Sequence, residues 1–211
     1  VESEKLKYKY RGFNWYRVPR IPYVQPEDLP AEYDIISEKS QQLPLDIDSQ
    51  FWNQQPTVLT FSNNPELGAA HVTMNTELWT ETGLSKPAVE CVILSIAKAM
   101  DSPYEWHDHV IAGLERAGLS REIILAISRN ELASIDEPHQ SLASYAFEFV
   151  EHDGEISDET HERIATHYDA GTIVGLAILA GYYVSLTHVL RALDIQLEDE
   201  FVGWELENYP A

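Results

Sequence analysis

The chain has 211 residues, 44% of them hydrophobic, and a formal net charge of −21 from 35 acids against 14 bases. That is enough apolar material for one real core, which excludes disorder over most of the length, and so acidic a body repels phosphate backbones and anionic membrane surfaces. A single cysteine, Cys91, excludes an internal disulfide framework and a thiolate metal cluster.

The bases are unevenly placed: Lys5, Lys7, Lys9, Arg11, Arg17 and Arg20 lie in the first twenty residues, against only Glu2 and Glu4 there. Residues 1–30 interleave them with aromatics and prolines (Tyr8, Tyr10, Phe13, Trp15, Tyr16, Pro19, Pro22, Tyr23, Pro26, Pro30), a pattern that predicts an extended arm rather than a helix. The arm is expected to dock on the acidic body of its own or a neighbouring subunit. The first twenty residues hold no apolar run of the secretory type, so a cytoplasmic location is expected. The acid excess fits a high-salt cytoplasm, where screening offsets self-repulsion.

From Ala31 onward the pattern predicts one all-α domain, residues 31–211. Helices are expected near 31–43 and 49–61, then one opened by Asn64-Pro65-Glu66 and closed at Gly83. Ser85 starts the next, with Val89, Val92, Ile93, Ile96 and Ala97 on its buried stripe, ending near Asp101-Ser102-Pro103. Proline at 103 opens a helix from Tyr104 to Ala117, stopped by Gly118. Ser120 begins a short helix carrying Ile123, Ile124 and Ile127, and further helices follow near 138–151, 158–168 (capped by Ser157) and 170–193. The last contains the apolar stretch Gly171–Leu186, interrupted by Gly175 and Gly181; it falls short of the roughly 20 apolar residues of a membrane span and reads as a central buried helix. No turn-separated strand signal follows the arm.

Chemistry concentrates in Glu105-Trp106-His107-Asp108-His109. On a helix, positions i and i+4 share a face, so Glu105 and His109 point the same way and can exchange a proton directly or through one water. Such a carboxylate can fix the imidazole tautomer, raise its basicity, or act as base with the histidine as its acid partner. Glu90, set among Val89, Val92 and Ile93, is poorly solvated and expected to have a raised pKa suited to a proton relay. A bland reading also exists: a surface Glu–His pair worth a few tenths of a kcal/mol to its helix. His107 points away from His109. Glu105, Asp108 and His109, joined by His71 or His188, would suit an oxygen/nitrogen metal site. Tyr104 and Trp106 can line a site or fill the core, and His139, His152, His161 and His167 read as solvated. Gly-x-Gly-x-x-Gly and Walker sequences do not occur, so no nucleotide cofactor is implied.

The order Glu90, Ser102, Glu105, His109, on two helices joined by a tight turn, resembles the carboxymuconolactone decarboxylase superfamily and its AhpD relatives. The segment Tyr104-Glu105-Trp106-His107-Asp108-His109, the following Ala117-Gly118-Leu119-Ser120, and the late stretch from Tyr168-Asp169 through Gly181-Tyr182-Tyr183 to Ile195-Gln196-Leu197 extend the likeness over about residues 56–198. The resemblance implies an AhpD-like helical bundle, a metal-free and cofactor-free site, and a homo-oligomer. It implies Glu105 and His109 as catalytic acid–base pair and Glu90 as relay; Tyr104, Ser102 and Tyr183 are taken, by their positions, as substrate-binding candidates. In the peroxidase relatives the positions matching Ser102 and Glu105 are a Cys-x-x-Cys pair. Without that thiolate and its resolving partner, peroxide cannot be reduced through a sulfenic acid. Ser102 lies in no Gly-x-Ser-x-Gly elbow and is expected to cap the following helix.

The expected function is therefore decarboxylation or isomerisation of a small carbonyl or lactone acid, with no nucleic-acid or membrane partner. The alternatives are a peroxidase-like role in name only and a non-catalytic ligand-binding or scaffold module.

Overall fold

The computed structural model describes residues 19–24, 55–197 and 200–209. The expected helix near 31–43, the start of the one near 49–61, and most of the arm lie outside the described residues.

Eight α-helices and no strands occur among the described residues: α1 (Pro56–Phe61), α2 (Pro65–Thr80), α3 (Lys86–Ala99), α4 (Pro103–Ala112), α5 (Arg121–Arg129), α6 (Glu137–Glu151), α7 (Asp158–Ala165) and α8 (Ala170–Leu193). The starts are chemically local. Asn64, Ser120, Asp136, Ser157 and Asp169 each accept a backbone N–H of the first turn, satisfying a donor the helix cannot use itself.

The centre of the molecule is α3. Every residue from Ala88 to Ala97 is buried, so this helix is enclosed all round and packs against α4, α5, α6 and α8. Glu90 sits inside that run. The turn to α4 is tight because Asp101 adopts the left-handed conformation at φ 56°, while the Ser102 N–H bonds Ala97 O and the Asp101 N–H bonds Lys98 O. Arg191 of α8 donates to the carbonyls of Met100 and Asp101, pinning this turn from outside.

Two expectations change here. The helix predicted over Tyr104–Ala117 is α-helical to Ala112 and then widens into a π-turn, Gly113–Ala117, before Gly118 at φ 77° stops it. The helix predicted as central is not: α8 lies along the edge, with Val174 59% and Ile178 46% exposed. At 24 residues it is long and apolar enough, by length and composition, to cross a membrane, yet its inner face packs on α2, α3, α6 and α7. Apolar content alone did not distinguish α8 from α3.

The described part of the arm docks on its own chain. Arg20 donates through its backbone and its guanidinium to Leu193 O and Ala192 O, both at 3.0 Å, so its charge meets the carbonyl end of α8 rather than a carboxylate. Residues 200–209 fold back on α4 from the other side. Trp106 Nε1 donates to Gly203 O at 3.1 Å, and Val202 N–H donates to His107 Nδ1 at 3.1 Å. Trp204 stacks near Trp106, with Lys98 Nζ 4.5 Å over its ring.

Candidate active site

Glu90 on α3 and the Glu105/His109 pair on α4 converge. His109 Nδ1 lies 2.8 Å from Glu90 Oε2, and His109 Nε2 lies 3.5 Å from Glu105 Oε2, so one imidazole stands between two carboxylates. Glu90 and Glu105 are buried; His109 keeps 15% of its side chain exposed and is the member nearest solvent. The short contact is a charge-assisted bond, while the 3.5 Å side is too long for a strong one.

Burial pushes the Glu90 carboxyl up, opposed by His109 and Arg116. Burial likewise raises Glu105 to about 7, with His109 pulling it down and Asp108 and Glu90 adding to the rise. For His109, burial pulls downward, but the neighbouring Glu90, Glu105 and Asp108 outweigh it and lift the imidazole to about 9. At neutral pH the ring is therefore an imidazolium held by Glu90, and Glu105 is the group poised between its two protonation states.

The other sequence candidates separate. Tyr183 belongs to the site: its ring stands edge-on to His109 with centroids 5.2 Å apart, and its hydroxyl accepts from Asn75 Nδ2 at 3.3 Å. Tyr104 is buried, and burial raises its phenol well above the usual range, with Asp108 and Glu105 adding to that. Ser102 is buried at the start of α4, but its side chain makes no capping bond; extended backbone geometry and Pro103 start the helix instead. Trp106 and His107 face the C-terminal segment and serve the core. His71 does not join the α4 acids; it pairs with Tyr182, whose hydroxyl lies 3.0 Å from Nε2. His188 is exposed, as are His152, His161 and His167, while His139 is half-buried and bonds Asp136 at 2.8 Å. Among the described residues no group of three or more His, Cys, Asp or Glu side chains is arranged to hold a metal ion.

Sequence reasoning missed Asn75, and it placed Tyr182 on the last long helix without pairing it with His71. Asn75 sits mid-helix on α2, buried, where asparagine has poor helix propensity and needs a reason to stay. That mismatch was a usable signal, since a buried amide must find partners.

No family model matches the sequence, and no curated protein matches it. The structure is similar to a solved one, the debrominase Bmp8, crystallised as a cysteine-to-alanine variant in complex with 2,3,4-tribromopyrrole. The TM-score is 0.69 at 15% identity, over 84% of this chain and 91% of that chain. The two share an all-α fold of the AhpD-like helical type.

Proposed function

We propose that this chain is an acid–base enzyme that isomerises a small, neutral carbonyl compound by moving a proton. The observation that carries the reading is the His109 imidazole held between Glu90 and Glu105 on the buried seam of α3 and α4. The Glu105 carboxylate takes a proton from the carbon next to the carbonyl. His109 Nε2–H bonds the carbonyl oxygen, where the negative charge of the enolate collects, and Glu105 returns the proton at a second carbon. Glu90 keeps the imidazolium charged and oriented.

Among the described residues, the carboxylates Glu90, Glu105 and Asp108 act on His109, and Arg116 is the cation that acts on Glu90. That balance favours a neutral substrate and makes isomerisation a better fit than decarboxylation of an anion. The likeness to Bmp8, which holds a brominated pyrrole, supports a ligand of small-ring size. Thiol chemistry has no support in the residues present: Cys91 is buried on α3 with its thiol directed at His139 O. A homo-oligomer belongs to the same proposal, supported by the exposed apolar positions of α8, and light scattering on the purified protein measures it.

The test is deuterium uptake next to the carbonyl of 2-cyclopentenone and γ-butyrolactone in heavy water, followed by NMR. The wild type is expected to exchange well above the buffer rate, and Glu105→Gln and His109→Gln to fall by about 10²-fold or more while staying folded. Equal exchange in all three proteins sinks the proposal.

A further inference from the structure

The large hydrophobic side chains exposed among the described residues all fall on two helices: Leu67 and Met74 on α2, and Val174, Ile178 and Val189 on α8. These helices run antiparallel, since His71 meets Tyr182 while Thr82, just past the end of α2, lies close against Gly175. Residues three and four apart are neighbours on a helix surface. Leu67 and Met74 therefore flank His71, Ile178 flanks Tyr182, and Val174 and Val189 continue the α8 row in both directions. The five make one apolar seam along the outside of the pair, and a contiguous seam, unlike scattered surface hydrophobics, marks a place where something packs.

The chain itself begins at one end of that seam. Arg20 is bonded to the carbonyls of Ala192 and Leu193, and Ala192 is exposed three residues beyond Val189, on the same row. From this anchor Val24 leads away to α1 through its bond to Leu59 O, so residues 1–18 set out from the α8 end of the seam. From Val189 to Val174 is about 22 Å of helix. Residues 8–16, drawn out, cover about 30 Å, and they hold Tyr8, Tyr10, Phe13, Trp15 and Tyr16. Charge agrees as well: α2 carries Glu66 and Glu77 and no lysine or arginine, whereas Lys7, Lys9, Arg11 and Arg17 are spaced among those aromatics.

We infer that residues 8–16 pack along the α2–α8 seam of their own subunit, with Tyr16 and Trp15 toward Val189 and Leu67 and with Tyr10 and Tyr8 toward Ile178 and Val174. The aromatics supply the attachment, and the bases lie along an acidic rim. In the proposed oligomer a neighbouring subunit then meets α8 through this segment rather than directly.

Spin labels on the full chain, in a Cys91→Ser background, test the docking and its direction by NMR. A nitroxide on Lys9→Cys is expected to remove most of the methyl signal of Val174 and Ile178, and one on Asn14→Cys that of Leu67 and Val189. Tyr8→Ser, Tyr10→Ser, Phe13→Ser and Trp15→Ser together should restore the signals, while Lys7→Gln, Arg11→Gln and Arg17→Gln should leave them broadened; thermal melting checks that each variant is folded. When spin-labelled chains without isotope are mixed with isotope-labelled chains without the nitroxide, the signals should stay sharp. Sharp signals with the nitroxide on the observed chain overturn the inference. Broadening in the mixture overturns it by assigning the seam to the arm of a second copy, and broadening that survives the serine changes but not the glutamine ones overturns it in favour of charge attraction alone.

Discussion

His109 and Glu90 are bonded at 2.8 Å across two helices, and the Glu90 partner of that bond is wholly buried. An isolated ionised carboxylate in such a place is costly, and the imidazolium offsets that cost only while the contact is kept. Glu90→Gln should therefore lower the His109 pKa from about 9 toward its ordinary 6.5. Glu105→Gln should lower it less, because that carboxylate is farther away, at 3.5 Å. NMR titration of the imidazole measures both, and a titration unchanged in Glu90→Gln would refute the assignment.

Stability should depend on pH in a direction fixed by the same groups. His109 is raised from 6.5 to about 9, so between those values the folded state holds more protons than the unfolded one, and stability falls as pH rises through the window. Glu105, raised from 4.5 to about 7, acts in the same sense at lower pH. His71, lowered to about 4, acts oppositely and adds stability as pH rises from 4 to 6.5. Denaturation midpoints at fixed salt should show an alkaline decline that flattens in His109→Gln; an identical decline in both proteins contradicts the linkage.

Two glycines of α8 should respond with opposite signs. A Cβ on Gly175 would lie 2.7 Å from Thr82 O and 2.8 Å from Thr82 Cα, against backbone that cannot swing aside. The strain, about 1–3 kcal/mol or more, exceeds the gain of about 1 kcal/mol from replacing a mid-helix glycine, so Gly175→Ala should lower the melting temperature. At Gly181 the nearest atom is Phe149 Cζ at 3.9 Å, and Gly181→Ala should raise it. The reverse order would show that the approach of α8 to Thr82 is not tight.

Cys91 should be inert in the folded protein. Its thiol is buried and pushed up to about 12 by burial, with Asp136 adding to the rise, so almost no thiolate exists at neutral pH. A colorimetric disulfide reagent should label it only after denaturation, and Cys91→Ser should leave any proton-transfer activity unchanged. Rapid native labelling would reopen a thiol role.

What could be read from the sequence was local. Asn64-Pro65, Ser120 and Ser157 set helix starts through bonds to their own first turns, and Gly118 set a stop, so those boundaries fall within a residue of the structure. Glu105 and His109 were legible because helix geometry alone puts i and i+4 on one face. The π-turn after Ala112 was not, since the widening places Gly113 against Leu119 and Glu90, a tertiary requirement. Asn75 and the pairing of Tyr182 were hidden for the same reason: the Asn75–Tyr183 bond spans 108 residues and the Tyr182–His71 bond 111. Ser102 shows the opposite error, a good capping residue whose side chain the neighbouring proline makes unnecessary.

Trp106 and His107 stand between Glu105 and His109 in the chain, and both are held by Val202 and Gly203 from the opposite side of α4. The rotation of that helix about its axis, and with it the aim of the imidazole, is thus referenced to the segment that holds Val202 and Gly203. Variation in residues 200–209 can retune reactivity while every acid–base group stays the same, so a library confined to that segment would search the site's geometry without altering its chemistry.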